Sequence, residues 1–192
     1  MCGFFGVIGK NLDKETAKIM LKSLEHRGPD NNALYFDENL CFGHSRLSIN
    51  DLTPYSNQPF VSDNGILLYN GEIYNFKDLQ KRTKIQNTDS DTEVLSSLLG
   101  NLGLRSLSLL NGMFSFGYWD KRNKSLIAAR DRCGEKPFYY SLLSDGTLVF
   151  ASEIKTIIKS KLINLNISEK QLRKYFENMH IDPGKSIYDN IK

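Results

Sequence analysis

At 192 residues the chain is long enough for one domain with a sizeable core, and 40% hydrophobic with 24% charged residues excludes a disordered polymer. Its longest apolar run falls far short of the ~20 residues of a membrane helix, and a net charge of only +3, with both signs interspersed, argues against a nucleic-acid partner. Three scattered cysteines form neither a disulfide framework nor a metal site, and no basic segment precedes the first apolar run, so a reducing cytoplasm is the expected location.

In chain order, Gly3 to Gly9 is a glycine-bounded apolar run suited to a strand buried on both faces. Asp13 is placed to cap a helix with an apolar stripe of Ala17, Met20, Leu21 and Leu24, ending near Gly28-Pro29. Strands are expected around Leu34–Phe36 and Leu40–Ser45. Asp63-Asn64-Gly65 marks a hairpin between the Phe60 region and Ile66–Tyr69. Capping boxes at Ser90-x-x-Glu93 and Ser168-x-x-Gln171 open two further helices, the first stopping at Gly103. Between them lie strands at Met113–Trp119, Leu126–Arg130, Phe138–Leu142 and Leu148–Ala151. This hairpin-rich order favours antiparallel sheets packed with helices, an α+β fold. Residues after about Ser160 read as a helical extension and a polar tail at Asp182-Pro183-Gly184 with no closing element, as in the front part of a longer protein.

Several residues carry a chemical and a plain reading side by side. If Met1 is removed, Cys2 joins a thiol and a free α-amine in one residue, a nucleophile with its own base; otherwise Cys2 fills a strand end. Asn70 and Gly71 offer two oxyanion donors at the end of a strand, or simply a turn. Arg46 alternates inward at a strand end, suited to bidentate capture of a carboxylate. Asp91 could hold a substrate ammonium or merely favour a helix start. His26 and Arg27 suit a helix end, and the charges of ARDRCGEKPFYY read as a buried ion-pair network.

Together the segments MCGFFGV, HRGPD, GHSRLSIND, YNGEIYNF, SDTEVL, LNGMFSFGYWD, RDRCGEKPFYY and FASEIK resemble, in order, the glutaminase domain of glutamine-hydrolysing asparagine synthetases. The resemblance spans about Met1 to Ile158 and implies an N-terminal-nucleophile (Ntn) hydrolase fold, an αββα sandwich of two antiparallel sheets. It implies Cys2 as nucleophile, its freed amine as base, and Asn70 and Gly71 as the oxyanion hole. Arg46 then grips the α-carboxylate of L-glutamine, Glu72 and Asp91 face its amide and ammonium, and the backbone from Leu47 through Ile49 to Asn50 lines the pocket. The implied domains are a glutaminase at 1–160 and an extension at 161–192 leading to an absent C-terminal synthetase domain. That domain would need ATP and magnesium, whereas none is implied for the glutaminase; its SGG-x-DS signature does not occur here. A homodimer is left open, as are a sugar or polysaccharide-precursor acceptor and a non-catalytic interaction domain. Cys133 stands where the family shows a larger apolar residue and is expected to be a buried thiol. A retained Met1 would turn the amine into an amide and leave the chain inactive.

Overall fold

The computed structural model describes residues 1–49, 52–83, 85 and 89–192, and within them two antiparallel sheets lie between helices. The first sheet runs β2 (Asn31–Asp37), β3 (Leu40–Arg46), β1 (Gly3–Ile8), β9 (Leu148–Ala151) and β8 (Tyr139–Leu142). The second runs β4 (Phe60–Val61), β5 (Gly65–Ile73), β6 (Gly112–Asp120) and β7 (Ser125–Arg130), with the expected hairpin closed by Ser62 N–H donating to Gly65 O at 2.8 Å.

Strand alternation explains the layering. Phe5 and Val7 of β1 pack with α1 (Lys14–Lys22) and α4 (Ile154–Lys159), whereas Phe4 turns to the other side and joins Phe42, Ile66, Leu68 and Phe150 between the sheets. In β5 the same rule sends Ile66 and Leu68 inward and Leu67 and Tyr69 outward, beneath Val94, Leu95, Leu98 and Leu99 of α3 (Asp91–Leu102). The order helix, sheet, sheet, helix is the αββα sandwich expected from the motifs. A short helix not foreseen, α2 (Phe76–Gln80), packs against α3 through Leu79. No helix among the described residues is long and apolar enough to cross a membrane.

Asp13 caps α1 as its position suggests, accepting from Thr16 N–H at 2.8 Å. The helix stops at Lys22, however, and Glu25–Arg27 form a separate 3₁₀ turn. Ser23 is the physical reason: its hydroxyl bonds Met20 O at 2.6 Å and Thr156 Oγ1 at 2.8 Å, competing with the helical backbone. Ser90 does cap α3, accepting from Glu93 N–H at 3.3 Å. The second capping box does not form; Gln171 at the start of α5 (Glu169–Asn178) instead bonds Asp182, which also pairs with Lys174 at 2.6 Å. Through that link the polar tail returns to the body. Ile191 is buried against the α1 side of the first sheet, and Lys192 exchanges two backbone hydrogen bonds with Tyr140, at 2.8 and 2.9 Å. The tail therefore has a closing element that its polar composition concealed.

Candidate active site

At one end of the sandwich, between the sheets, lies a cavity of about 100 Å³. It is lined by Cys2, Arg46, Leu47, Ile49, Asn70, Gly71, Glu72 and Asp91, so eight of the nine residues singled out from sequence share one wall or the other. Asn50 lies outside the described residues. Not anticipated were Ser56, Gln58, Tyr69, Thr92, Met113 and Lys136, together with Met1 itself.

Register brings the thiol to this point. Gly3 pairs with Ser45, so one step outward sets Cys2 beside Arg46 and Leu47. Its Sγ lies 3.4 Å from Leu47 N and 3.5 Å from Leu47 O. Its carbonyl accepts from Arg27 Nε at 2.9 Å, and Arg27 is itself tied to Glu153 at 3.2 Å. Glu153 also takes His26 at 2.8 Å and Lys155 at 3.0 Å, so the HRG turn serves to anchor the first residues of the chain. Gly28 is required there because a Cβ would sit 2.3 Å from Ser45 O. Burial raises the thiol's pKa, and this outweighs the Leu47 hydrogen bond, the terminal ammonium, Arg46 and Arg27, which lower it. Such a thiol needs a base to ionise it.

The opposite wall comes from β5. Asn70 continues the inward row of Ile66 and Leu68, is 2% exposed, and its Nδ2 donor has no hydrogen-bond partner. Buried amide donors are nearly always paired, so an orphaned one at a cavity wall is a donor held ready for a ligand. Next to it, Gly71 lies against β6; a Cβ would meet Met113 O at 2.2 Å and Phe114 Cα at 2.7 Å, which no side chain tolerates. Behind this wall His44 Nε2 donates to Tyr69 O at 3.1 Å, linking the two sheets. Its imidazole, wholly buried and near Arg46, is pushed down to about 4 and is neutral.

Charged side chains of both signs line the cavity. Arg46 is buried, with Nη1 donating to Thr53 O at 2.8 Å and Asn57 Oδ1 at 2.7 Å. Asp91, first residue of α3, accepts from Tyr69 Oη at 2.7 Å and Ile73 N–H at 3.1 Å. Burial raises its carboxyl pKa, opposed by those hydrogen bonds and one from Thr92 N–H. Glu72 is half-buried beside them.

The RDRCGEKP segment departs from the expected ion-pair network. Asp131 instead accepts backbone N–H groups of Phe114, Cys133, Glu135 and Lys136 at 2.9–3.3 Å, while Arg130 donates to the carbonyls of Gly134 and Lys136. Charges here satisfy the backbone of a turn, and the turn delivers Lys136 to the cavity. Cys133 is exposed, not buried, because that tight turn directs its side chain outward; Cys41 is the buried thiol, pushed up to about 12 by burial. Among the described residues no group of three or more His, Cys, Asp or Glu side chains is placed to hold a metal ion.

A family described as "Glutamine amidotransferase domain" matches residues 1–192. "Asparagine synthetase [glutamine-hydrolyzing] 1" of Bacillus subtilis (strain 168) is 34% identical over 204 residues, covering 100% of this chain and 32% of that protein. "Asparagine synthetase [glutamine-hydrolyzing]" of Zea mays is 39% identical over 165 residues, 82% of this chain and 28% of its own length. Among solved structures, the glutamine phosphoribosylpyrophosphate amidotransferase of B. subtilis, complexed with ADP and GMP, matches with TM-score 0.67 and 25% identity, covering 83% of this chain and 44% of that one. The chain spans about two fifths or less of the length of the curated relatives it matches.

Proposed function

Since the chain belongs to the glutamine amidotransferase domain family and has the fold of Ntn amidotransferases, we propose that its cavity hydrolyses the side-chain amide of L-glutamine with Cys2 as nucleophile. The unpartnered Asn70 donor, buried in the wall of the same cavity as the Cys2 sulfur, carries this reading. Removal of Met1 exposes the α-amine of Cys2, whose ordinary pKa of about 7.7–8.0 suits a base near neutral pH. The amine takes the thiol proton, and the thiolate attacks the amide carbon. The oxyanion rests on Asn70 Nδ2 and Gly71 N–H, and ammonia departs with the proton held by the amine. Water, activated by the same amine, then attacks the γ-glutamyl thioester, releasing glutamate and restoring the thiol. Arg46 takes the substrate α-carboxylate, and Asp91 with Glu72 its ammonium and amide; Leu47 and Ile49 line the pocket.

The proposal extends to the longer protein that relatives of about three times this length suggest. There, as the asparagine synthetases among its relatives suggest, the ammonia passes to a C-terminal synthetase domain, which uses ATP and magnesium to amidate aspartate in a cytoplasmic enzyme. The test is direct. The chain with Met1 removed, confirmed by intact mass, should release glutamate from glutamine, and Cys2→Ala should lose about 10⁴-fold or more. Equal rates for the two sink the nucleophile, and full activity with Met1 retained sinks the amine.

A further inference from the structure

Lys136 is 8% exposed and lines the cavity, yet among the described residues its ammonium forms no ion pair. Nζ approaches the Met1 thioether sulfur at 3.6 Å, a weak acceptor. A buried cation without a carboxylate is costly, and here the chain holds it in place. Asp131 Oδ2 accepts from Lys136 N–H at 3.0 Å, and Arg130 Nε donates to Lys136 O at 2.6 Å, so both sides of its backbone are fixed. Met1 Sδ is separated from the Cys2 nitrogen by five bonds, which puts the ammonium within roughly 10 Å of that nitrogen. When Met1 leaves, its sulfur leaves with it, and the nitrogen becomes the base of the reaction.

We propose that Lys136 is a positioning residue that keeps the α-amine of Cys2 uncharged, its own ammonium disfavouring a second positive charge beside it. The inference rests on the function proposed above and deepens it. Other charged and titratable groups surround this end of β1. Arg27, from the turn after α1, is tied to Glu153 and the Cys2 carbonyl, and Glu153 is shared with His26 and Lys155. Arg46 of β3 is bonded to Thr53 and Asn57, and neutral His44 of the same strand to Tyr69 O. Glu72 and Tyr69 come from β5, and Asp91 from α3 bonds the Tyr69 hydroxyl. Asp91 has a substrate ammonium and Glu72 a substrate amide to face, the nearby Asp131 carboxylate is taken up by four backbone N–H groups, and among the described residues the Lys136 ammonium forms no ion pair. At an effective dielectric of about 20, a unit charge at that distance lowers a neighbouring amine pKa by about one unit, which enlarges the free-base fraction about tenfold in acid.

The experiment is the pH dependence of kcat/KM for glutamate release by the chain with Met1 removed, for wild type, Lys136→Met and Lys136→Arg. Lys136→Met should move the acid limb up by about one unit, lowering the rate about tenfold below it while the alkaline plateau stays within about twofold. Lys136→Arg should follow wild type. A limb that Lys136→Met leaves unmoved overturns the inference, whether the rate then falls uniformly at every pH, as for a structural role, or KM for glutamine rises, as for a substrate contact. Independently of any variant, the rate of N-terminal acylation against pH, followed by mass, should place the wild-type amine below the ordinary 7.7–8.0 range; a value in or above that range overturns it as well. An inactive wild type removes the function and this inference together, whereas an active one with an unmoved limb removes this inference alone.

Discussion

The donor wall of the cavity and the sulfur wall are held by different means. Asn70 and Gly71 sit inside a nine-residue strand paired along its length with β6, and Asp91 is fixed by the helix it begins and by Tyr69 and Ile73. Across the cavity Cys2 lies before the first strand residue, held by the Arg27 side chain and the Leu47 backbone, and Ile49 is 69% exposed. One wall inherits its geometry from a ladder of backbone hydrogen bonds, the other from a chain of side chains ending in Glu153. In the proposed reaction preorganised donors cost nothing to reorganise, while a sulfur that exchanges protons with its own amine would be served by a less confined seat.

Mutations can break or sharpen this contrast. After the loss of the Cys2 sulfur itself, the largest effect is expected at the donor wall: Asn70→Ala should cost about 10²–10³ in kcat with the thermal midpoint little changed, and an unaltered kcat would remove this wall from the chemistry. His44, which ties the walls' two sheets together, is pushed by burial from its ordinary 6.5 down to about 4 in the folded chain. The unfolded chain therefore takes up a proton below pH 6.5 that the folded chain refuses until about pH 4. Stability is full above pH 6.5 and should decline by on the order of 3 kcal/mol across that window, measured by urea unfolding; a flat profile would mean that His44 accepts a proton in place. At the sulfur wall Arg27→Met frees the Cys2 carbonyl, and kcat should fall about tenfold with KM little moved, because slight misplacement of a reacting atom is enough. Smallest is Ser90→Ala, which removes the cap of α3 and should lower stability by about 1 kcal/mol in a thermal melt while kcat holds. A large kcat loss there would show that the donor wall depends on its helix more than on its ladder.

Much of the sandwich was legible locally. Asp13, the Asp63–Gly65 hairpin, the Ser90 cap and the alternation of β5 each depend on residues a few positions apart. The cavity was legible only through motifs taken together, because Cys2, Arg46, Asn70 and Asp91 are far apart in the chain and each has a plain local explanation. What escaped depends on contacts no spacing encodes. Lys136 reaches the cavity only because Asp131 gathers four backbone donors, and the same turn exposes Cys133. The end of α1 hid in one serine, Ser23, whose partner Thr156 lies on α4.

The returning tail has a bearing on how this molecule avoids its own copies. β8 is an outermost strand of the first sheet, and Lys192 meets its Tyr140 with a reciprocal pair of hydrogen bonds while Ile191 plugs the adjoining apolar surface. Such a margin left bare invites strand-to-strand accretion between molecules. A chain trimmed at residue 160, where composition alone would place the cut, would lose this cover and should clump at concentrations the intact chain tolerates.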